Sequence, residues 1–247
     1  MRLTKNTILI TGGSSGIGLE LCRVLIAKGN QVLICGRSEE KLAQARVSYP
    51  AVQTFCCDLS QQLGREKLFA WVAAHFPACN VLINNAAIVH RTDFYTDPDM
   101  IAKAEREIQT NLMAPIALTK LFMPLLEKNA NAAIINISSG LVYAPKAIYP
   151  IYNATKAALH ALSQVLRHQL QARPVRLIEV MMTVVDTPWH KGKAPAMAIS
   201  AEKAVYETLK KIEKGQEEIK IGQVNKLYLL SRLSPGLAFR LINRATA

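Results

Sequence analysis

Residues 7–18 read TILITGGSSGIG. A short apolar run ends at Thr11, and Gly12, Gly13, Gly16 and Gly18, four of the chain's twelve glycines, follow at once. Beyond them Leu19, Cys22, Leu25 and Ile26 recur three and four apart, the spacing of a helix that covers a core. Glycine at such a junction permits a tight turn and lets backbone N–H groups approach a pyrophosphate, whose charge the helix N-terminus stabilises. Ser14 and Ser15 add hydroxyl donors, and Ile17 contributes its backbone between the last two glycines. Strand, turn and helix in register predict a nucleotide site.

Working outward, the same alternation continues. Apolar runs stand at 31–35 (QVLIC), 52–57 (VQTFCC), 80–84 (NVLIN), 132–138 (AAIINIS), 175–182 (VRLIEVMM) and 218–222 (EIKIG), separated by longer amphipathic segments. Each run has the length of a strand buried on both faces. Seven strands alternating with helices predict an α/β fold, a doubly wound Rossmann-type parallel sheet flanked by helices, which binds ligands beyond the carboxyl ends of its strands. No repeat or Pro/Ser-rich linker marks a boundary, so residues 1–247 are expected to form one domain.

The composition agrees. Thirty Lys and Arg against eighteen Asp and Glu give a formal charge of +12, while half of all residues are hydrophobic, a globular composition and not a disordered one. Cys22, Cys35, Cys56, Cys57 and Cys79 are odd in number and show neither a CxxC pair nor a His at zinc spacing, so buried reduced thiols are expected and no metal. The opening MRLTKNTILI has too short an apolar run for a signal peptide. The longest apolar stretch, around 111–126, is broken by Pro115, Lys120 and Pro124, short of the about 20 residues a membrane span needs. A cytoplasmic protein is the expectation.

The spacing of the glycine segment is TGxxxGxG, and here the chain resembles the classical short-chain dehydrogenase/reductases. The resemblance extends through Asp58-Leu59 after the third strand, NNAA at 84–87 after the fourth, Asn111, ISS at 137–139 and YxxxK from Tyr152 to Lys156. Several of these runs are most similar to a subgroup encoded beside D-alanylation genes of teichoic acid. The resemblance implies that Asp58 and Leu59 flank an adenine ring and that Asn85, Ala86 and Ala87 line the central cofactor groove. Ala87 stands where the family usually has glycine.

Charge predicts which nicotinamide cofactor is held. NAD enzymes place an acid near the end of the second strand for the ribose 2′-hydroxyl, where a 2′-phosphate would be repelled. Here Gly36 stands at that position and Arg37 follows, a guanidinium suited to phosphate. NADP(H) is expected over NAD(H).

A carbonyl reductase delivers hydride to carbon and a proton to oxygen, and tyrosine serves only if its pKa moves from about 10 toward neutrality. A nearby ammonium can supply the roughly 4 kcal/mol this takes. Tyr152 and Lys156 are four apart on an expected helix and share a face. By resemblance, Tyr152 is the proton donor or acceptor, Lys156 lowers its pKa and holds the nicotinamide ribose, Ser139 polarises the substrate oxygen, and Asn111 holds a water linking Lys156 to solvent. After the sixth strand the family's Pro-Gly is replaced by Met182-Thr183, while Asp186-Thr187 is retained. Thr187 is expected to reach the nicotinamide amide or the phosphates.

Residues 186–200 fall where the family builds its substrate loop, here short and basic with Trp189, His190, Lys191 and Lys193. From 219 to 247 five basic residues accompany leucines at helical spacing and no acid. Packing on the domain or on a second subunit is the expected role of this segment, ahead of an anionic membrane surface or an acidic carrier protein. The family resemblance implies a homodimer or homotetramer and a small carbonyl or alcohol substrate. No nucleic-acid motif accompanies the charge. A non-catalytic NADPH-binding scaffold and a reductase of carrier-bound ketones are the alternatives to a free-substrate oxidoreductase.

Overall fold

The apolar runs become strands because their neighbours bury both faces of the sheet. The computed structural model describes residues 1–244, with β1 (Thr7–Thr11), α1 (Gly16–Ala27), β2 (Gln31–Gly36), α2 (Glu39–Ser48), β3 (Gln53–Cys56), α3 (Gln62–His75) and β4 (Cys79–Asn84) forming the first half. The second half runs α4 (Met100–Ile108), a π-helical turn (Gln109–Met113), α5 (Ala114–Leu126), β5 (Ala132–Ser139), α6 (Pro150–Gln169), β6 (Val175–Met182), β7 (Val185–Asp186), β8 (Ile199–Ser200), α7 (Ala201–Glu213), β9 (Glu218–Lys220), α8 (Val224–Leu233) and α9 (Pro235–Arg244).

Seven strands pair in the order β3-β2-β1-β4-β5-β6-β9, all parallel. Alternate residues of one run serve opposite layers: Ile8 and Ile10 pack with Leu21, Leu25 and Leu209 beneath α1 and α7, whereas Leu9 packs with Leu68, Val72 and Phe122 beneath α3 and α5. The strand order reverses between β1 and β4. That reversal opens a crevice at the carboxyl ends, where the glycine turn lies.

Three details differ from the sequence expectation. Residues 185–200 include an unforeseen two-stranded ribbon, β7 with β8 in the register Val185 to Ile199 and Asp186 to Ser200, which ties both ends of the substrate loop. The last sheet strand stops at Lys220, because Gly222 turns the chain away with φ of +59°. Cys22, Cys35 and Cys79 are buried thiols as expected, but Cys57 is half-buried and Cys56, closing an edge strand, is exposed. All five are reduced.

The basic C-terminal segment folds back onto the reaction side of the domain, with residues 245–247 outside the described residues. Val224 packs so closely on Gly140 that a Cβ there would lie 2.6 Å from its methyl. Tyr228 meets Tyr143 edge-on at 4.9 Å, and Ala238 is fully buried. Asn243 accepts from Ala147 N at 2.7 Å and donates to Pro145 O at 3.1 Å, holding the loop before α6. Deleting residues 224–247 is therefore expected to lower the melting temperature by several degrees, and the intact protein should not co-sediment with anionic vesicles at physiological salt. An unchanged melting temperature together with strong vesicle binding would reject packing as the segment's role. Among the described residues no helix is long and apolar enough to cross a membrane.

Candidate active site

The glycine turn owes its shape to the strand beside it. Gly12 has φ of +64°, and a Cβ on it would lie 2.9 Å from the Ala86 backbone, so only glycine admits the NNAA segment this near. Thr11 and Asn85 lock the two together. The Thr11 hydroxyl accepts from Asn85 N at 2.9 Å and Ala86 N at 3.0 Å, and the Asn85 amide donates to Thr11 O at 2.9 Å. Gly16, at φ of +53°, faces Thr187, whose methyl would be 3.2 Å from an added Cβ. Thr187 thus stands over the turn despite Met182-Thr183, for β6 runs straight through Met182 into the core. The cradle fits a pyrophosphate: Ser15 makes no side-chain cap and α1 has no acid in its first turn, so the first N–H groups of the helix meet no negative charge of the protein.

At the end of β2, a Cβ on Gly36 would come within 2.9 Å of the Ser14 hydroxyl. Gly36 therefore brings no side chain against Ser14 and no acid to the end of β2, and exposed Arg37 follows. Asp58 caps the next loop by accepting from Ser60 N at 2.9 Å. Leu59 beside it is buried with Leu9 and Leu33. Ala87 is exposed.

Asn111 sits inside the π-helical turn, fully buried. Its side chain accepts from Ile88 N at 2.8 Å, donates to Ile88 O at 2.8 Å and reaches the Thr155 hydroxyl at 3.3 Å. The amide thereby joins the segment after β4 to α6, and its side chain is used in positioning. The local unwinding to π geometry, common at functional sites, is what places it there.

Ser139 ends β5, and Tyr152 and Lys156 share the inner face of α6. Burial pushes the Tyr152 phenol up to about 12, and a hydrogen bond with Ser139 pulls the other way. Lys156 is only 3 % exposed. Desolvation brings its ammonium down to about 8, and Glu179 opposes that. Its Nζ donates to Ile137 O at 2.8 Å and lies 5.7 Å from the centre of the Tyr152 ring. A buried ammonium must be hydrogen-bonded, and here a strand carbonyl takes that part.

Aromatic rings cluster beside Tyr152. Tyr149 meets Tyr152 at 6.4 Å and Trp189 at 6.0 Å between ring centres, both edge-on, and Trp189 meets His190 at 4.7 Å. Trp189 remains half exposed.

Several polar residues of this region went unread in the sequence. Thr11 left a signal, a hydroxyl at a strand end before glycine. Glu107 and His90 form a pair at 2.8 Å, with burial raising the Glu107 carboxyl, and the Glu107 charge disfavours ionisation of Tyr152. Glu179, wholly buried in β6, holds His160 and Ser138.

A nucleotide cradle at the switch point and a Ser-Tyr-Lys cluster one strand away define the class. The family model for short chain dehydrogenases matches residues 6–198, and the chain belongs to that family. Among its relatives, it is 41 % identical over 248 residues to the protein called uncharacterized oxidoreductase DltE of Bacillus subtilis (strain 168), with 98 % of each chain covered. Its fold matches a short chain dehydrogenase from Burkholderia cenocepacia J2315 in complex with NADP at a TM-score of 0.85, with 24 % identity and 98 % and 99 % of the two chains covered. A short chain dehydrogenase/reductase from Burkholderia phymatum in complex with NAD matches at 0.84, with 18 % identity, over 100 % of this chain and 98 % of that one. At these identities the two structures speak to the fold alone.

Proposed function

We propose that the chain is an NADP(H)-preferring oxidoreductase that interconverts a carbonyl and a secondary alcohol. The observation that carries this reading is buried Lys156, its Nζ held by Ile137 O at 2.8 Å and 5.7 Å from the centre of the Tyr152 ring on the same helix, with Ser139 ending the adjoining strand, beside a cradle that fits a pyrophosphate. The nicotinamide, when bound, supplies or accepts the hydride. Ser139 and Tyr152 face the substrate oxygen: the serine hydroxyl polarises it, and the tyrosine hydroxyl gives it a proton in reduction or takes one in oxidation. Lys156 holds the nicotinamide ribose and keeps a positive charge near the phenol. Asn111 fixes the floor on which Lys156 and Thr155 stand. Gly12, Gly16, Gly18 and the backbone of Ser14 to Ile17 take the pyrophosphate, Asn85 to Ala87 line the groove, Asp58 borders the adenine, and Thr187 closes over the phosphates.

NADP(H) is favoured by the space and charge at the end of β2. Gly36 and Ser14 leave room for a 2′-phosphate, and Arg37 meets it with a guanidinium. The relatives of known fold hold NADP in one case and NAD in the other, so the choice falls to these residues. Arg37→Ala is expected to weaken NADPH binding about tenfold and NADH binding by under twofold, read by cofactor fluorescence titration. Equal affinities for the two cofactors in the unmodified chain would defeat the NADP assignment. The oxidoreductase reading itself is tested by NADPH oxidation against a broad carbonyl panel, in which no turnover of any ketone or aldehyde would favour a binding scaffold.

A further inference from the structure

One acid stands where proton and hydride transfer have no evident use for it. Glu179 lies in the middle of β6, between Ile178 and Val180, with no exposed surface. A carboxylate enclosed by aliphatic side chains persists only where donors surround it. The Ser138 hydroxyl donates to Oε1 at 2.5 Å, and His160 Nδ1 stands 3.0 Å from Oε1 and 2.8 Å from Oε2. Both partners belong to the elements that carry the reaction centre. Ser138 precedes Ser139, and His160 lies one turn beyond Lys156 on the same face of α6.

Lys156 is the other buried charge of this layer. Its Nζ is held by Ile137 O, the carbonyl preceding Ser138, and among the described residues it forms no ion pair. An ammonium without a contacting carboxylate depends on charges one layer away, and in a low-dielectric interior these act strongly. We propose that Glu179 is a positioning residue of the reaction centre, which holds Lys156 in its charged form across Ser138 and one turn of α6, with His160 setting the strength of that hold. The proposal rests on the reading of Lys156 as part of that centre.

The direction of the effect follows from the surroundings. Desolvation draws Lys156 down to about 8, and Glu179 is the charge that opposes it. Without the carboxylate the lysine would lose its proton nearer neutrality, and with it the cation beside Tyr152. His160 is raised by its hydrogen bond to Glu179, further raised by Glu218 and lowered by Lys220, the two β9 side chains that face it. Glu218 is itself paired with Lys220 at 2.7 Å and Arg167 at 3.7 Å, and the Tyr143 ring covers the imidazole edge-on at 5.8 Å. A protonated His160 neutralises Glu179 and weakens its field on Lys156. His160, raised by the same carboxylate, competes with Lys156 for the charge of Glu179, so that removing the imidazolium leaves the full carboxylate facing the lysine.

The test is an NMR titration of lysine ε-carbons in the full chain, with the Lys156 signal assigned by its loss in Lys156→Met. In Glu179→Gln the Lys156 midpoint is expected to fall by about one pH unit, and the alkaline limb of the kcat profile to move with it, while Glu179→Asp restores both. In His160→Gln, which keeps a hydrogen-bond donor but cannot carry charge, the Lys156 midpoint should rise. This second variant decides the matter if Glu179→Gln does not fold. A Lys156 midpoint that stays in place in the variants that fold, with activity lowered evenly at every pH, would show a merely structural role and overturn the proposal. The titration needs no substrate. Absence of carbonyl reduction would therefore count against the oxidoreductase reading, and an unmoved midpoint against the role of Glu179.

Discussion

Tyr152→Phe is expected to abolish turnover, by about three orders of magnitude, while leaving NADPH affinity within twofold of the unmodified chain. The substitution removes one oxygen. The ring keeps its edge-on contact with Tyr149 and its place over Lys156, so packing and the cofactor groove are preserved, and the loss should fall on kcat and not on KM. The reason for so large an effect is that no other hydroxyl stands in for it. The Ser139 hydroxyl accepts from Leu141 N at 3.2 Å, and Tyr143 donates to the Met181 sulfur at 3.0 Å and packs edge-on against His160. Tyr149 is near enough to be the rival donor, and burial raises its phenol as well. Single-turnover NADPH oxidation on whichever carbonyl proves a substrate gives the measurement. A Tyr152→Phe protein retaining more than a few percent of the rate, with Tyr149→Phe then removing it, would transfer the role to Tyr149.

The raised Tyr152 phenol shapes what pH profile to expect. With Tyr152 at about 12, the protonated form prevails throughout the neutral range, which suits the reductive direction, where the phenol is a proton donor. Oxidation of an alcohol requires the phenolate and so should gain rate as pH rises. Reduction should stay level where oxidation climbs, and one group accounts for both.

What the sequence disclosed and what it hid divide by the distance over which the information is spread. The turn at Gly12 to Gly18 is legible because its residues are consecutive and each glycine answers a local demand, a positive φ at Gly12 and Gly16 or a close approach at Gly18, where a Cβ would lie 2.3 Å from Gly12 O. Strands such as 7–11 and 132–139 are legible because burial on both faces writes an unbroken apolar run. The π-helical turn at Asn111 is not legible, since one extra residue per turn leaves no mark in a pattern of threes and fours. Nor is the partner of Lys156. Spacing pairs it with Tyr152, but the acceptor it needs is Ile137 O, nineteen residues away on another element. Glu179 is hidden for the same reason: within VRLIEVMM it interrupts a strand signal, and the groups that make it tolerable, Ser138 and His160, are 41 and 19 residues away. The residues of the centre could be listed from spacing. The charges that tune them required the fold.

Lys156→Met should show how far the centre is held at the expense of stability. The desolvation that brings Lys156 from 10.5 to about 8 disfavours the folded, charged state, by roughly 3 kcal/mol at pH 7. Because the folded pKa lies below the unfolded one, the unfolded chain binds more protons between pH 8 and 10.5, and stability rises with pH across that window. Above it the penalty is gone, and below 8 it is complete. Methionine fills a similar volume and has no charge to desolvate, although it gives up the hydrogen bond to Ile137 O, a loss that does not vary with pH because the neutral amine also donates. The stability of the unmodified chain relative to Lys156→Met is therefore expected to rise by roughly 3 kcal/mol from pH 8 to 10.5, measured by urea unfolding without cofactor at matched pH values. Turnover should be lost in the same variant at every pH. A stability difference that stays flat over this window would mean that the ammonium is not desolvated in the folded chain, and the electrostatic account of the centre, Glu179 included, would lose its foundation.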